Sequence, residues 1–220
     1  MEAMKRTALL ALWSLASVAA GAESGSIPPP SLDAPLAKGG TRSVVVAGGC
    51  FWGIQAVFQH VRGVQSAVSG YSGGAAWTAH YQMVSLGMSG HAESVQVSYD
   101  PSRVSLGQLL RVFFSVAHDP TQKNRQGPDQ GTQYRSAIFF SDAEQERIAR
   151  AYVAQLDQAG VFERKIATEI APLAAFYVAE AYHQDYATRH PDAPYIRIND
   201  APKVERLRVE FPDLYVSPKK

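Results

Sequence analysis

A short apolar run, two glycines and a second apolar run follow one another near residue 50, and this order constrains the fold most. Residues 43–47 are mostly β-branched, which is typical of a buried strand. Residues 52–59 carry apolar side chains at helical spacing, so Gly48 and Gly49 are predicted to form a tight strand-to-helix turn. Cys50, the one cysteine among 220 residues, then lies at or just before the N-terminus of the helix.

Cys50 has two interpretations. Unpaired N–H groups and the helix dipole favour an anion at a helix N-terminus, so the position suits a reactive thiolate. The alternative is an inert structural cysteine, because free cysteines are among the most buried residue types. The turn, and the large rings of Phe51 and Trp52 directly after the thiol, favour a reactive cysteine beside an apolar wall.

The segments after this turn predict an α+β fold. Strands are predicted at residues 65–71, 92–99, 135–141 and 166–171, and helices at residues 105–114, 141–160, 182–189 and 203–211. We therefore expect a two-layer sandwich, with a mixed or antiparallel sheet, helices packed on it and a ferredoxin-like core. Residues 118–134 form a long polar connection, and long ordered loops tend to carry function.

The first 42 residues are predicted to precede the folded domain of residues 43–220. Residues 1–22 have the pattern of a cleavable signal peptide, with Lys5 and Arg6 before an apolar run and Ala20-Gly21-Ala22 at its end. The alternative is an uncleaved anchor, although the apolar run is short for a membrane span. Residues 23–42 are predicted to be an extended or disordered tether. We expect a periplasmic or secreted protein without stable membrane association after cleavage.

Several function classes remain open at this point. A net charge of +1 with interspersed signs argues against a nucleic-acid partner. The absence of a CxxC pair and of HExxH spacing argues against a zinc site. Glu93, at the start of an apolar strand, is either a buried proton donor or a solvated side chain. The alternatives are a cysteine hydrolase with His91, His118 or His183 as its base, a one-cysteine peroxidase, and a binding module.

Taken together, seven segments resemble the peptide methionine sulfoxide reductases of the A type. They are GCFWG (49–53), GYSGG (70–74), GHAESV (90–95), HDPT (118–121), NRQGPD (124–129), QYRS (133–136) and AYHQ (181–184). Their order and spacing cover residues 44–186, and the combination is far more specific than any one segment.

The resemblance implies a division of roles in reducing the S epimer of methionine sulfoxide, free or in oxidised proteins. Cys50 is the implied nucleophile, which becomes a sulfenic acid, and Glu93 the proton donor, with hydrogen bonds from Tyr81 and Tyr134. Three further residues have implied roles: Asp129 supports the polar end of the site, and Phe51 and Trp52 hold the S-methyl group. The resemblance implies no bound cofactor and no metal, and we expect a monomer.

The sequence departs from the family pattern at two places. Relatives often carry recycling cysteines near the C-terminus, but residues 204–220 contain none. An outside thiol, either a small thiol or a thioredoxin-like protein, is therefore the expected reductant. In addition, Ser85 replaces a frequent cysteine, and Thr78-Ala79-His80 replaces Asn-Pro-Thr before Tyr81, so His80 is expected to reshape the pocket rim.

Overall fold

The computed structural model describes residues 27–217 of the chain. The strands are β1 (Arg42–Gly48), β2 (Val64–Ser72), β3 (Ala92–Tyr99), β4 (Arg125–Gln126), β5 (Asp129–Gln130), β6 (Ser136–Phe140), β7 (Glu169–Pro172) and β8 (Phe176–Val178). The α-helices are α1 (Phe51–Gln59), α2 (Tyr81–Val84), α3 (Leu106–Val112), α4 (Ala143–Gln158), α5 (Tyr186–Arg189) and α6 (Ala201–Glu210). Within this part of the chain, no helix is long and apolar enough to cross a membrane.

Six strands form one sheet in the order β7-β6-β1-β3-β2-β8, and β4 pairs with β5 separately. The central strands β6, β1, β3 and β2 pair with one another in antiparallel orientation, and α1 connects β1 to β2. This order and connectivity are those of a ferredoxin-like core. Because β7 runs parallel to β6 while β8 is antiparallel to β2, the sheet is mixed. The predicted fold class is confirmed.

One face of the sheet packs against the helices. Apolar residues of α1, α3 and α4 share a single buried cluster with those of the central strands. On β3, the side chains of Val95, Val97 and Tyr99 lie in this cluster. Glu93 has the same parity along the strand, so the pleat directs its carboxyl group toward the helices instead of toward solvent.

Side-chain caps begin α3 and α4. The Ser105 hydroxyl accepts a hydrogen bond from the N–H of Gln108, whose side chain returns to Ser105, forming a capping box. Asp142 accepts from the N–H of Gln145 at 2.9 Å and so begins α4. These side chains satisfy N–H groups that the helices themselves leave unpaired.

The segment after α4 differs most from the prediction. The strand predicted at residues 166–171 is β7, which begins only at Glu169, and β8 was not predicted because three half-exposed residues give no clear alternation. The helix predicted at residues 182–189 is two short pieces, a 3₁₀ turn at Ala181–His183 and α5. Between them the Gln184 side chain bonds to Ser69 of β2, which interrupts the helical path.

Residues 27–41 form no helix or strand, but they are packed against the domain. The Tyr152 hydroxyl donates to the Pro28 carbonyl at 2.7 Å, and Asp33 accepts from the Gly107 N–H at 2.7 Å. Ile27 is buried, and Leu32 lies against the core. Residues 27–41 of the segment expected to be an extended or disordered tether are therefore held on the domain by hydrogen bonds and apolar contacts. The predicted signal peptide, residues 1–22, lies outside the described residues.

Candidate active site

Three glycines allow close packing around the turn that carries Cys50. Gly49 has φ +93°, and a Cβ atom there would lie 2.6 Å from the Gln126 side chain. At Gly48 a Cβ atom would lie 2.8 Å from the His118 ring, and at Gly53 it would lie 2.1 Å from Asp200 Oδ1. All three distances are shorter than carbon contacts allow. The predicted strand-to-helix turn is confirmed, and its glycines are required by the side chains that surround it.

Cys50 occupies the N-cap position of α1, as predicted, and is only 8% exposed. Burial raises the pKa of the Cys50 thiol well above its usual value, and the carboxylates of Glu93 and Asp200 raise it further. A hydrogen bond from the backbone of Trp52 and the charge of Lys203 lower this pKa, but by less. The helix N-terminus alone therefore does not make Cys50 a thiolate in the unliganded protein.

Glu93 is buried beside the same helix N-terminus. It is 2% exposed, and Oε2 accepts a hydrogen bond from the Phe51 N–H at 3.1 Å. Burial raises the pKa of Glu93 to about 8, although the Phe51 hydrogen bond opposes this, and the charges of Asp129 and Asp200 contribute to the rise. The side chain is therefore not solvated, and with this pKa the carboxyl group is mostly protonated at neutral pH.

Tyr81, Tyr134 and Asp129 come from separate elements and meet around Glu93. Tyr81 is the first residue of α2, and Tyr134 ends a 3₁₀ turn at Thr132–Tyr134. Burial raises the pKa of both hydroxyl groups, and the charges of Glu93, Cys50 and Asp129 raise it further. The long loop of residues 118–134 thus brings Asp129 and Tyr134 close to Glu93, and Tyr134 close to the thiol.

The two aromatic residues after Cys50 have different environments. Phe51 is 1% exposed and packs against the rings of Tyr71 and His183, with centroid distances of 5.8 and 5.0 Å. Trp52 is only half-buried and stacks on Tyr186 at 3.8 Å, with an interplanar angle of 11°. Trp52 is therefore the ring that an incoming side chain can reach, whereas Phe51 belongs mainly to the core.

The three histidines considered as bases for a hydrolase have other hydrogen-bond partners. His91 accepts from the Gly74 N–H and contacts the Ala75 carbonyl, and His118 bonds to Phe113 and Ser136. Burial lowers the pKa of all three, that of His118 to about 3.

His183 is the histidine that shares the ring cluster of the site. Its Nδ1 lies 3.2 Å from Trp52 Nε1, which can only donate a hydrogen bond. Nδ1 must therefore be the acceptor, so the proton of the neutral ring lies on Nε2. In this arrangement His183 cannot take a proton from Cys50, which disfavours the hydrolase.

Sequence reasoning missed Tyr195, Asp200 and Lys203, which also belong to the site. The Tyr195 hydroxyl donates a short hydrogen bond to Asp129 Oδ2, and its ring meets the Trp52 ring edge-on at 5.9 Å. Asp200 is 0% exposed and pairs with Lys203 at 3.0 Å. Its position directly before Ala201-Pro202 is typical of a helix cap, yet its side chain makes no cap hydrogen bond.

The charged groups do not form a metal centre. Among residues 27–217, no three His, Cys, Asp or Glu side chains are grouped so that they could hold a metal ion. The arrangement instead combines a thiol, a protonated carboxyl group, tyrosine hydroxyls and an open indole ring. This set suits a small substrate with one polar bond between apolar groups.

Comparisons with known proteins agree on one family. The family model described as peptide methionine sulfoxide reductase matches residues 42–214, a range that includes the whole site. The peptide methionine sulfoxide reductase MsrA 2 of Mesorhizobium japonicum is 56% identical over 176 residues, or 80% of this chain and 90% of that protein. The MsrA of Thermus thermophilus is 48% identical over 169 residues, or 77% and 94% of the two chains.

Solved structures show the same similarity. The reduced form of Mxr1 from Saccharomyces cerevisiae gives a TM-score of 0.63 at 32% identity, covering 74% of this chain and 92% of that one. The methionine sulfoxide reductase A of Corynebacterium diphtheriae gives a TM-score of 0.60 at 35% identity, covering 76% and 87%.

Proposed function

The chain belongs to the peptide methionine sulfoxide reductase family and is an A-type enzyme that reduces methionine sulfoxide, and we propose that it acts on the S epimer through Cys50. One observation carries this proposal: the buried Glu93 side chain is hydrogen-bonded to the turn that holds Cys50. The carboxyl group of Glu93 bonds to the N–H of the residue directly after the thiol. A proton donor and a nucleophile are thereby held at one helix N-terminus.

The resting site carries its protons on the groups that the reaction needs. Burial raises the pKa of Cys50 well above its usual value and the pKa of Glu93 to about 8, so both groups are mostly neutral at pH 7. A neutral pocket beside Trp52 accepts the apolar S-methyl group at a smaller desolvation cost than an ionised one. The proton that must reach the sulfoxide oxygen is then already on Glu93.

In the proposed reaction the Cys50 sulfur attacks the sulfoxide sulfur while Glu93 gives its proton to the oxygen. The protonated oxygen then moves to the Cys50 sulfur as its bond to the methionine sulfur breaks. The transient bond between the two sulfur atoms also breaks, so the thioether of methionine leaves and Cys50 is a sulfenic acid. The thiol proton returns to Glu93, so no net proton is consumed. The sulfoxide gains the two electrons that the thiol loses.

The tyrosine hydroxyls stabilise the developing charge. Oxide is a poor leaving group, so donors aimed at the oxygen lower the barrier together with the proton. The raised pKa values of Tyr81 and Tyr134 keep both hydroxyls protonated and able to donate. Asp129 accepts a hydrogen bond from the Tyr195 hydroxyl and so fixes the Tyr195 ring beside Trp52.

An outside thiol completes the cycle in this proposal. The chain contains one cysteine, so the sulfenic acid cannot form an internal disulfide. A first outside thiol condenses with it to give a mixed disulfide and water, and a second thiolate releases Cys50. The exposed cysteine of a thioredoxin-like protein or a small thiol provides suitable chemistry. Trapping a mixed disulfide with Cys50 during turnover tests this step.

We propose export for the same chain, from the signal-peptide pattern of residues 1–22. An oxidising compartment suits an enzyme that has no second cysteine with which to form an internal disulfide. A mature chain that begins at Glu23 in a periplasmic or secreted fraction is the expected result. Full-length chain in the cytosolic fraction would contradict it.

The test of the function is a single turnover without added thiol on separated epimers of a methionine sulfoxide peptide. About one methionine per chain is expected from the S epimer, with a trappable sulfenic acid on Cys50. The matched control is Cys50→Ser, for which no methionine is expected. Methionine formed from the R epimer, or by the Cys50→Ser variant, would overturn the proposal.

A further inference from the structure

A buried ion pair lies at the site and has no role in the reaction described so far. Asp200 is 0% exposed, and its Oδ1 lies 3.0 Å from the ammonium nitrogen of Lys203. Its other oxygen, Oδ2, is buried without a hydrogen-bond partner. A buried carboxylate that is only half satisfied costs stability, so a role beyond folding is a reasonable inference.

Asp200 and Lys203 pack against α1, the helix that has Cys50 at its N-terminus. A Cβ atom at Gly53 would lie 2.1 Å from Asp200 Oδ1 and 2.7 Å from Lys203 Nζ. Gly53 is the third residue of α1, so the pair contacts the first turn after Cys50. Asp200 and Lys203 can lie this close to α1 only because residue 53 has no side chain.

The pair also acts electrostatically on the thiol. Lys203 lowers the pKa of Cys50, whereas Glu93 and Asp200 raise it. The titratable groups that face the thiol from the surrounding elements are Tyr81, Glu93, Tyr134, Tyr195, Asp200 and Lys203. In this set Lys203 is the cation, and its side chain is anchored by Asp200.

We propose that Asp200 and Lys203 are positioning residues for the reaction. Asp200 holds the Lys203 ammonium group against the first turn of α1, where its positive charge offsets the negative charge that develops on the Cys50 sulfur during attack. This inference rests on the proposed role of Cys50.

The test is the pH dependence of Cys50 alkylation by iodoacetamide, an uncharged reagent, on the full chain. Lys203→Met is expected to move the alkylation midpoint to higher pH by about one unit. Asp200→Asn keeps the Oδ1 acceptor that holds Lys203 but removes the negative charge, so it is expected to move the midpoint to lower pH. Lys203→Arg keeps the charge and is expected to keep the midpoint.

Arg208→Met is the matched control. Arg208 lies on the same helix, α6, but pairs with the exposed Glu205, so its loss is expected to leave the midpoint unchanged. If Lys203→Met does not fold by circular dichroism, Lys203→Ala replaces it with the same expected shift. Equal midpoints for the Lys203 and Arg208 variants would overturn the inference, as would shifts of the same sign for Lys203→Met and Asp200→Asn.

Single-turnover kinetics separate a positioning role from a merely structural one. Lys203→Met is expected to lower the rate constant about tenfold at pH 7, with the half-saturating sulfoxide concentration unchanged. A rise in half-saturation at an unchanged rate constant would contradict the inference. The proposed function is tested by the turnover of Cys50→Ser, whereas the alkylation experiment uses no sulfoxide. The two tests can therefore fail independently of each other.

Discussion

Glu93 shows how a strand position determines the protonation state of a residue. Its place on β3, with the parity of Val95 and Val97, directs the side chain into the helix-covered face. The carboxyl group is left with the Phe51 N–H as its hydrogen-bond donor. One donor offsets only part of the desolvation of a carboxylate, so the acid form is favoured at neutral pH.

The first prediction concerns the role of this proton. Glu93→Gln keeps the shape of the side chain but removes the acid, so we expect single-turnover reduction to fall by about 10²-fold to 10⁴-fold. Substrate half-saturation should stay within a few fold, because Trp52 and the tyrosines remain. Glu163→Gln, at an exposed glutamate, is the control. Retention of the full rate by Glu93→Gln would show that the proton comes from elsewhere.

The second prediction concerns stability. Because folding raises the pKa of Glu93 from 4.5 to about 8, the folded state binds more protons than the unfolded state between these values. The contribution of Glu93 to the free energy of unfolding therefore falls as the pH rises from about 4.5 to about 8. Glu93→Gln lacks this contribution, so its stability relative to the wild type should increase over that range by a few kcal/mol.

Urea unfolding of both proteins at several pH values between 5 and 9 measures this difference. The Glu163→Gln variant should follow the wild type at every pH, since the side chain that it changes is exposed. A constant difference between wild type and Glu93→Gln would mean that Glu93 has similar pKa values in the folded and unfolded states.

At the scale of elements, the turn between β1 and α1 gives the third prediction. Gly49→Ala places a methyl group at φ +93° and 2.6 Å from Gln126, so it combines backbone strain with a clash. We expect a loss of at least about 2 kcal/mol of unfolding free energy and a lower single-turnover rate, because Cys50 is displaced. Gly160→Ala has φ +61° but open space, so it serves as the control.

Gly160→Ala should cost only about 1 kcal/mol and leave the rate unchanged. Equal losses of stability for the two variants would indicate that backbone strain alone explains the loss and that the Gln126 side chain moves to avoid the clash. An unchanged rate for Gly49→Ala would mean that the turn does not fix the position of the thiol.

The elements also show what the sequence could and could not predict. The turn, the β3 alternation and the helix caps follow from local patterns, and the motifs located Cys50 and Glu93. Asp200 and Tyr195 have no such pattern, because their contacts with Gly53 and Asp129 join residues far apart in the chain. The sequence left two interpretations of Glu93 open, since the burial of its side chain depends on which helices cover β3.

At the scale of the whole molecule, the segment before β1 belongs to the folded unit. Asp33 accepts hydrogen bonds from the Ser105 hydroxyl and the Gly107 N–H, so it binds the start of α3. Arg111 donates to the Ile27 carbonyl at 2.8 Å, further along the same helix. Low hydrophobicity suggested disorder, but these are polar contacts to helix α3, which composition does not reveal.

The fourth prediction follows from this packing. Asp33→Ala removes two hydrogen bonds to a carboxylate at the N-terminus of α3, so the free energy of unfolding should fall by about 2 kcal/mol. Single-turnover reduction should stay within about twofold, since the segment stabilises the helix layer and does not contact Cys50. Asp192→Ala, at an exposed aspartate, should change neither quantity. If Asp33→Ala is as stable as Asp192→Ala, the segment rests on the domain without stabilising it, and a chain that begins at Thr41 should then fold equally well.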